Sequence, residues 1–493
     1  MMHDHEKSDP VILVTKPTNN IIETVVAELV ERRAGIEGKT VEDTTRRTPS
    51  RESVSPGLDR LRQRAKEHRN EKFTSLLHHI NIELLSKAYH WLKRDAAAGV
   101  DGVTWQAYSV DLQAKLTDLH GRVHRGAYRA QPSRRRMIPK PDGRERPLGI
   151  ASLEDKIVQR ALVEVLNAIY EPEFLGFSYG FRPGRNQHDA LDALWVGINT
   201  KRVNWILDAD LRSYFDTISH EKLIAFIEER IGDKRVIRLI RKWLKAGVME
   251  NGVVTVSDIG SPQGSVISPL ISNIYLYHVF DIWAHQWRQS PGRGCMIVVR
   301  YADDFVCGFD READALAFLV DLKARMETYG LSLHPEKTRL IEFGRYATEN
   351  RAKRGMGKPE TFAFLGFTHI CGKSRKGKFL LVRKSRNDRM RNKLGEVKEQ
   401  LRHRINASIP EQGKWLGQVV RGYFAYHAVP ANSQSLKSFR YHVTCAWLRL
   451  LQRRSQRTRW TWEMMTRLAR QWLPMPRIQH PWPDRRFAVT HPR

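Results

Sequence analysis

Two adjacent aspartates, Asp303 and Asp304, are set between apolar runs. Cys295-Met296-Ile297-Val298-Val299 comes before Arg300-Tyr301-Ala302, and Phe305-Val306-Cys307-Gly308-Phe309 follows the pair. Short runs rich in Val and Ile read as strands, which makes the Ala-Asp-Asp segment the tip of a hairpin. Two carboxylates forced together at such a tip repel each other, and one tends to stay protonated. A divalent cation removes that conflict, because hard cations such as Mg²⁺ take oxygen ligands from one or two carboxylates together with substrate phosphates. The plainer alternative is a solvated turn, since Asp favours turns.

Other segments decide between these readings. Upstream, Val203-Asn204-Trp205-Ile206-Leu207-Asp208-Ala209-Asp210-Leu211 is an apolar stretch that ends in acidic residues, and Arg212-Ser213-Tyr214-Phe215-Asp216 continues it into a helix-compatible segment. Asp208 and Asp210 share one strand face by the two-residue period, so spacing alone does not choose between them. Gly260-Ser261-Pro262-Gln263-Gly264 is a loop whose glycines let a backbone approach a ligand closely, and the apolar residues after Ser268-Pro269 suit a helix packed beneath it. Ile138-Pro139-Lys140-Pro141-Asp142-Gly143-Arg144-Glu145-Arg146 reads as strand, Asp-Gly turn, strand. Lys140 and Arg146 are expected beside each other across that hairpin, where Arg as a fork and Lys as a point charge could hold a triphosphate. Any one of these segments alone fits an ordinary turn or strand end.

In order and spacing, the segments resemble the reverse transcriptases encoded by bacterial group II introns, which also act as maturases. The resemblance runs over roughly residues 60–493. It includes Ala98-Gly99-Val100-Asp101-Gly102, Phe177-Ser178-Tyr179-Gly180-Phe181-Arg182-Pro183, Leu331-Ser332-Leu333-His334-Pro335-Glu336-Lys337-Thr338 and Phe364-Leu365-Gly366-Phe367. It implies an α+β right-hand polymerase, with fingers and an antiparallel palm sheet followed by an α-helical thumb and maturase (X) domain. Residue by residue, Asp210, Asp303 and Asp304 match the catalytic carboxylates that bind two Mg²⁺ ions, with Leu211 beside them at the metal site. Lys140 and Arg146 match the pair that grips the triphosphate, with Arg134 as a further candidate. Phe215 matches the aromatic under the incoming sugar, and Gln263 falls in the loop that touches nucleotide and template. Trp415–Tyr426 resembles the maturase signature, with Arg421, Tyr423 and Tyr426 as its RNA-binding candidates. The partners implied are the intron RNA, an RNA template with a DNA primer, target DNA and deoxynucleoside triphosphates.

Charge agrees with such partners. Lys and Arg number 83 against 54 Asp and Glu, a net charge of +29, and an excess of this kind is first an argument for a polyanion. No apolar run is long enough for a membrane anchor, and the charged start Met1-Met2-His3-Asp4 does not resemble a signal peptide. A cytoplasmic, nucleoid-associated protein is expected. The four cysteines include no Cys-x-x-Cys pair, which argues against zinc modules and a disulfide framework. The HNH-type endonuclease of many relatives carries paired cysteines, and that activity is expected to be missing here.

Along the chain, residues 1–55 read as a flexible extension with one helix around Ile21–Arg33. Residues 56–130 read as a helical extension leading into the fingers, on the helical spacing of Leu76, Leu77, Ile80, Leu84, Leu85, Ala88 and Trp91. Fingers and palm are assigned to 131–370, thumb and maturase domain to 371–450, and a basic tail, a candidate DNA-binding remnant, to 451–493. Arg351–Pro359 reads as a mobile basic loop. Past Lys373 long basic helices are expected, the first with the stripe Met390, Leu394, Val397, Leu401 and Ile405 flanked by Arg and Lys. Two other readings compete with this one: a splicing factor with a decayed polymerase site, and a reverse transcriptase with another role such as defence. Intact aspartates argue against the first, and the maturase-like stretch against the second.

Overall fold

The computed structural model describes residues 56–139, 145–250, 253–260, 264–374, 376–454 and 459–490. The helix expected near Ile21–Arg33, and Lys140 and Gln263, lie outside the described residues.

The described part of the chain opens with helices α1 (Pro56–Glu67), α2 (Ile82–Trp91) and α3 (Leu112–His124). Helix α2 starts later than the apolar spacing suggests, because the Asn81 side chain accepts from Leu84 N at 2.8 Å and caps it. Leu76, Leu77 and Ile80 precede the cap and are buried all the same. Strands β1 (Ser133–Pro139) and β2 (Glu145–Ile150) follow, then α4 (Leu153–Tyr170) and α5 (Gln187–Thr200). Helix α4 is buried on nearly every side, as a helix that runs through a core is, and Asp155, Lys156, Gln159 and Arg160 are buried among its apolar residues. Next come β3 (Trp205–Asp210), α6 (Tyr214–Thr217), α7 (His220–Arg230), α8 (Lys234–Lys245), β4 (Val248–Glu250), β5 (Val253–Thr255) and α9 (Ser268–Leu276). Helix α9 widens into a π turn over Tyr277–Asp281. Strands β6 (Met296–Tyr301) and β7 (Asp304–Phe309), helix α10 (Glu312–Thr328) and β8 (Arg339–Glu342) complete the central unit.

Strands β6, β7, β3 and β8 lie side by side in that order, all antiparallel. Both faces of this sheet are covered, which is why its strands read as continuous apolar runs rather than alternating ones. Leu207, Ala209, Phe305 and Cys307 point into a core shared with α4, α9 and α10. Ile206, Val299, Val306 and Ile341 point the other way, toward α5 and a small sheet. That small sheet consists of β9 (Phe362–Phe364), β10 (Phe367–Lys373) and β11 (Phe379–Ser385), again antiparallel. A third sheet, ordered β2-β1-β4-β5, pairs β1 with β4 in parallel and its other neighbours antiparallel. Mixed helices with mainly antiparallel sheets are the α+β class expected.

Two local expectations change. The segment expected as a basic loop at 351–359 is in part helical, over Ala347–Lys353, and Arg351 and Arg354 pair with Glu342. Their charge is therefore used within the protein. The helices also begin later than Lys373: β11 intervenes, and α11 (Asn387–His403) follows it. Leu394, Val397 and Leu401 of α11 are buried, with Met390 and Ile405 partly so. With α12 (Ile409–His427), α13 (Ser433–Arg454) and α14 (Trp462–Trp472) they enclose a separate helical core.

The tail then returns to the central unit. Helix α15 (Pro483–Thr490) packs on α5. The buried Asp192 carboxylate on α5 receives Arg383 of β11 at 3.1 Å and Arg486 of α15. His480 bonds the carbonyl of Ala425 at 2.7 Å, and Trp482 lies against Trp195. Part of the basic tail thus serves as an internal strap. Among the described residues no helix is long and apolar enough to cross a membrane.

Candidate active site

The hairpin expected around the aspartate pair is present. Strands β6 and β7 pair from Met296↔Phe309 to Tyr301↔Asp304, leaving Ala302 and Asp303 as the turn. Ala302 adopts a positive φ of 58°, a region that disfavours a side chain. Strand β3 runs antiparallel to β7 with Asp210 opposite Asp304, while Asp208 faces Val306. Register therefore settles what spacing left open: Asp210 joins the hairpin carboxylates. Asp208 sits one pleat further in, with Arg339 at 3.9 Å.

Asp210 is only 9% exposed. One oxygen, Oδ2, accepts from Lys337 Nζ at 2.7 Å, and Oδ1 is buried without a hydrogen-bond partner. Burial pushes its pKa up, Lys337 opposes that shift, and the charge of Asp303 adds to it. A buried carboxylate oxygen facing a second carboxylate is a site that favours a cation. Among the described residues no three His, Cys, Asp or Glu side chains close around one point. The carboxylates instead form an open set at one end of the sheet, which fits an ion that keeps waters and takes substrate oxygens. The residues present fit Mg²⁺ on these grounds. Leu211 buries its side chain in the core, so only its backbone carbonyl is available to an ion.

The chain around this point is tied down. Asp210 O accepts from His334 N at 2.8 Å, and Arg212 N donates to Ser332 O at 2.9 Å. These contacts bring the Leu331–Thr338 segment, and Lys337 with it, to the end of β3. After β3, Ser213 turns the chain through a positive φ of 47° into α6. Tyr214 anchors α6 by donating to Ser272 O at 2.8 Å. Phe215 is half-buried beside it, edge-on at 5.3 Å. A Cβ on Gly260 would meet Asp216 O at 3.2 Å, and one on Gly264 would meet Gly149 O at 2.3 Å. Gly260 thus lies against α6, and Gly264 against strand β2. Ser265 Oγ and Val266 N, next along, are fixed to Gln159 of α4.

Arg146 stands opposite Ile138 across the β1–β2 hairpin, while Lys140, the residue expected beside it, lies outside the described residues. Two expectations about side chains change. Tyr423 is 8% exposed and stacks on Phe439 with ring centroids 3.6 Å apart. Tyr426 donates to Leu365 O at 2.7 Å and packs on Phe367. Both tyrosines belong to cores and offer no open face to a base, whereas Arg421 on the same helix is exposed. Arg134 lies on β1, half-buried, with no hydrogen-bond partner for Nε.

Two residues at the site do not stand out in the sequence as site residues. Lys337 lies in a segment that only the family resemblance marks. Arg300 did carry a signal: a cation inside Ile297-Val298-Val299-Arg300-Tyr301 must find a buried partner, and it does.

Residues 138–369 match the family model described as "Reverse transcriptase (RNA-dependent DNA polymerase)". Protein YkfC of Escherichia coli (strain K12) is 33% identical over 342 residues, which covers 63% of this chain and 84% of that protein. The group II intron-encoded protein LtrA of Lactococcus lactis subsp. cremoris is 35% identical over 243 residues, 48% of this chain and 40% of LtrA. Nuclear intron maturase 4, mitochondrial, of Arabidopsis thaliana is 27% identical over 284 residues, or 53% and 34%. The chain spans most of YkfC but less than half of the other two.

Proposed function

This chain belongs to the reverse transcriptases of group II introns and carries their RNA-dependent DNA polymerase domain, and on that premise we propose that it copies its intron RNA into cDNA at Asp210, Asp303 and Asp304. The observation that carries this reading is the register of β3 on β7, which sets Asp210 opposite Asp304 and next to the turn holding Asp303. These three carboxylates, with the Leu211 carbonyl, would hold two Mg²⁺ ions. When bound, such a pair lowers the pKa of the primer 3′-hydroxyl and neutralises charge on the nucleotide phosphates and the leaving pyrophosphate. Lys337, paired with Asp210 at 2.7 Å, opposes the upward shift that burial gives this carboxyl and so favours the charged form that can act as a ligand. Phe215 lies under the sugar, Gln263 reaches nucleotide and template, and Lys140 and Arg146, with Arg134, bind the triphosphate.

In this reading the region 131–370 forms fingers and palm, and 371–450 the thumb and maturase domain. The second role is binding of the intron RNA to support its splicing and mobility, with target DNA as a further partner. Exposed Arg391, Lys398 and Arg402 on α11 and Arg421 on α12 support that role, because cations on an outer helix face suit a phosphate backbone. Such partners put the protein in the cytoplasm, with the nucleoid.

One protein variant tests both halves. Asp303→Asn removes a ligand charge without removing bulk, so primer extension on an RNA template is expected to be lost. Its RNA affinity and its assistance to splicing of the encoding intron at low Mg²⁺ are expected to persist. Extension within a few-fold of wild type would overturn the site, and no splicing enhancement by the wild-type protein would overturn the maturase role.

A further inference from the structure

Behind the turn that carries Asp303 lies a charged pair with no access to solvent: the side chains of Arg300 and Asp281 are each 0% exposed. The guanidinium grips the carboxylate as a fork, Nε to Oδ1 at 2.7 Å and Nη2 to Oδ2 at 2.5 Å. Its remaining nitrogen, Nη1, donates to the Ala302 carbonyl at 2.9 Å and to Asn273 Oδ1 at 3.0 Å. Asn273 in turn donates to Gly180 O at 2.7 Å. Gly180 lies directly beneath the turn, where a Cβ would come within 2.2 Å of Ala302 N. The backbone of Arg300 is fixed as well, to Phe177 O and Tyr179 N, each at 2.8 Å.

We propose that Arg300, held by Asp281 and Asn273, is the positioning residue of the catalytic turn: it fixes the peptide between Ala302 and Asp303 and so aims the Asp303 carboxylate. This rests on the polymerase reading of the aspartates given above. The Ala302 carbonyl belongs to the same peptide plane as the Asp303 nitrogen. A donor locked onto that oxygen therefore sets the direction in which Asp303 leaves the turn. The plane needs such a lock because Ala302 is held at a φ that an alanine does not adopt by preference. Lysine could not replace the fork, since one ammonium cannot present a planar bidentate face to Asp281 and a further donor to Ala302. The π turn at Tyr277–Asp281 has a purpose in this arrangement. Asp281 follows Asn273 by eight residues, and the wider turn winds it back toward the face that looks at the hairpin.

The test uses the full-length protein with Mn²⁺ as probe, its binding followed by electron paramagnetic resonance, beside single-nucleotide incorporation on a primed RNA template. Wild type and Asp303→Asn are compared first, to identify the Mn²⁺ bound at the turn. Arg300→Lys is expected to weaken that Mn²⁺ by roughly 10- to 100-fold and to lower kcat by a similar factor, as loss of a ligand-orienting contact does. KM for the nucleotide should change by less than about three-fold, and primer–template affinity should not change, because only the reacting geometry is disturbed. Asn273→Ala keeps the ion pair, and its loss of Mn²⁺ affinity and kcat is expected in the same direction but smaller. If Arg300→Lys does not fold, Asn273→Ala decides by the same two measurements. Folded variants with wild-type Mn²⁺ affinity and kcat would overturn the proposal. If the wild-type protein extends no primer, the polymerase reading fails, while Mn²⁺ affinity in the variants still decides the positioning role.

Discussion

At the scale of single residues, position in the fold separates side chains that look alike in the sequence. Asp208 and Asp210 differ only in register, yet one faces Val306 and the other Asp304. Phe215 is half-buried, packed against the core with part of its ring exposed. A ring there would fill the space a 2′-hydroxyl needs, so Phe215→Val is expected to admit ribonucleotides. Their incorporation relative to deoxynucleotides should rise by roughly 10- to 100-fold, the discrimination a pocket gives for one small group. Competitive single-nucleotide incorporation measures it, and unchanged sugar selectivity would make Phe215 a packing residue only. The aspartate pair was legible in the sequence because carboxylates between apolar runs have few alternatives. Tyr423 and Tyr426 were not, since an aromatic on an amphipathic helix reads the same whether it faces RNA or Phe439. Lys337 was hidden for a different reason: its partner lies 127 residues away, and only the return of Leu331–Thr338 along β3 joins them.

At the scale of elements, the strands that carry the aspartates, β3, β6 and β7, could be anticipated from apolar runs, but the order of the central sheet and the devices that join elements could not. The loop at Gly260–Gly264 shows the difference. Its glycines suggested close approach to a ligand, whereas the approach seen is to the protein's own backbone at Asp216 and Gly149. Gly264 also has φ 118°, which a side chain rarely adopts. Gly264→Ala should therefore push the loop off β2, raising KM for nucleotide several-fold or more and lowering stability by about 1–3 kcal/mol. Steady-state incorporation and urea unfolding test this, and a variant unchanged in both would mean that the loop has slack. The break at Asn81 and the π turn before β6 belong to the same class. Each depends on a bond or a packing direction that apolar periodicity does not encode.

At the scale of the whole molecule, charge and burial make separate demands. A net charge of +29 predicts steep salt dependence of RNA binding. If about six phosphates are contacted, affinity should fall roughly 10³-fold between about 50 and 200 mM salt. Filter binding across a salt series measures the slope, and a flat response would remove the polyanion argument. Burial sets the response to acid. Desolvation lowers His278 to about 4, and His369 and His427 to about 3. The unfolded chain takes up these protons below about 6.5 and the folded one does not, so stability falls as pH drops from there toward 3 to 4. The slope is roughly 1.4 kcal/mol per histidine per pH unit. Glu173, raised to about 7 by burial, acts in the opposite sense over part of that range but is outnumbered. Urea midpoints should therefore be lower at pH 5 than at pH 7, and equal midpoints would mean that these imidazoles are protonated in the folded protein. The tail strap adds a demand of another kind. Asp192 and Arg486 are 294 residues apart, and the carboxylate is buried against both Arg383 and Arg486. At ~5–20 residues per second of synthesis, roughly 15–60 s separates their emergence from the ribosome. Through that interval the nascent central unit is without its strap, so the contact of α15 with α5 is timed by translation itself.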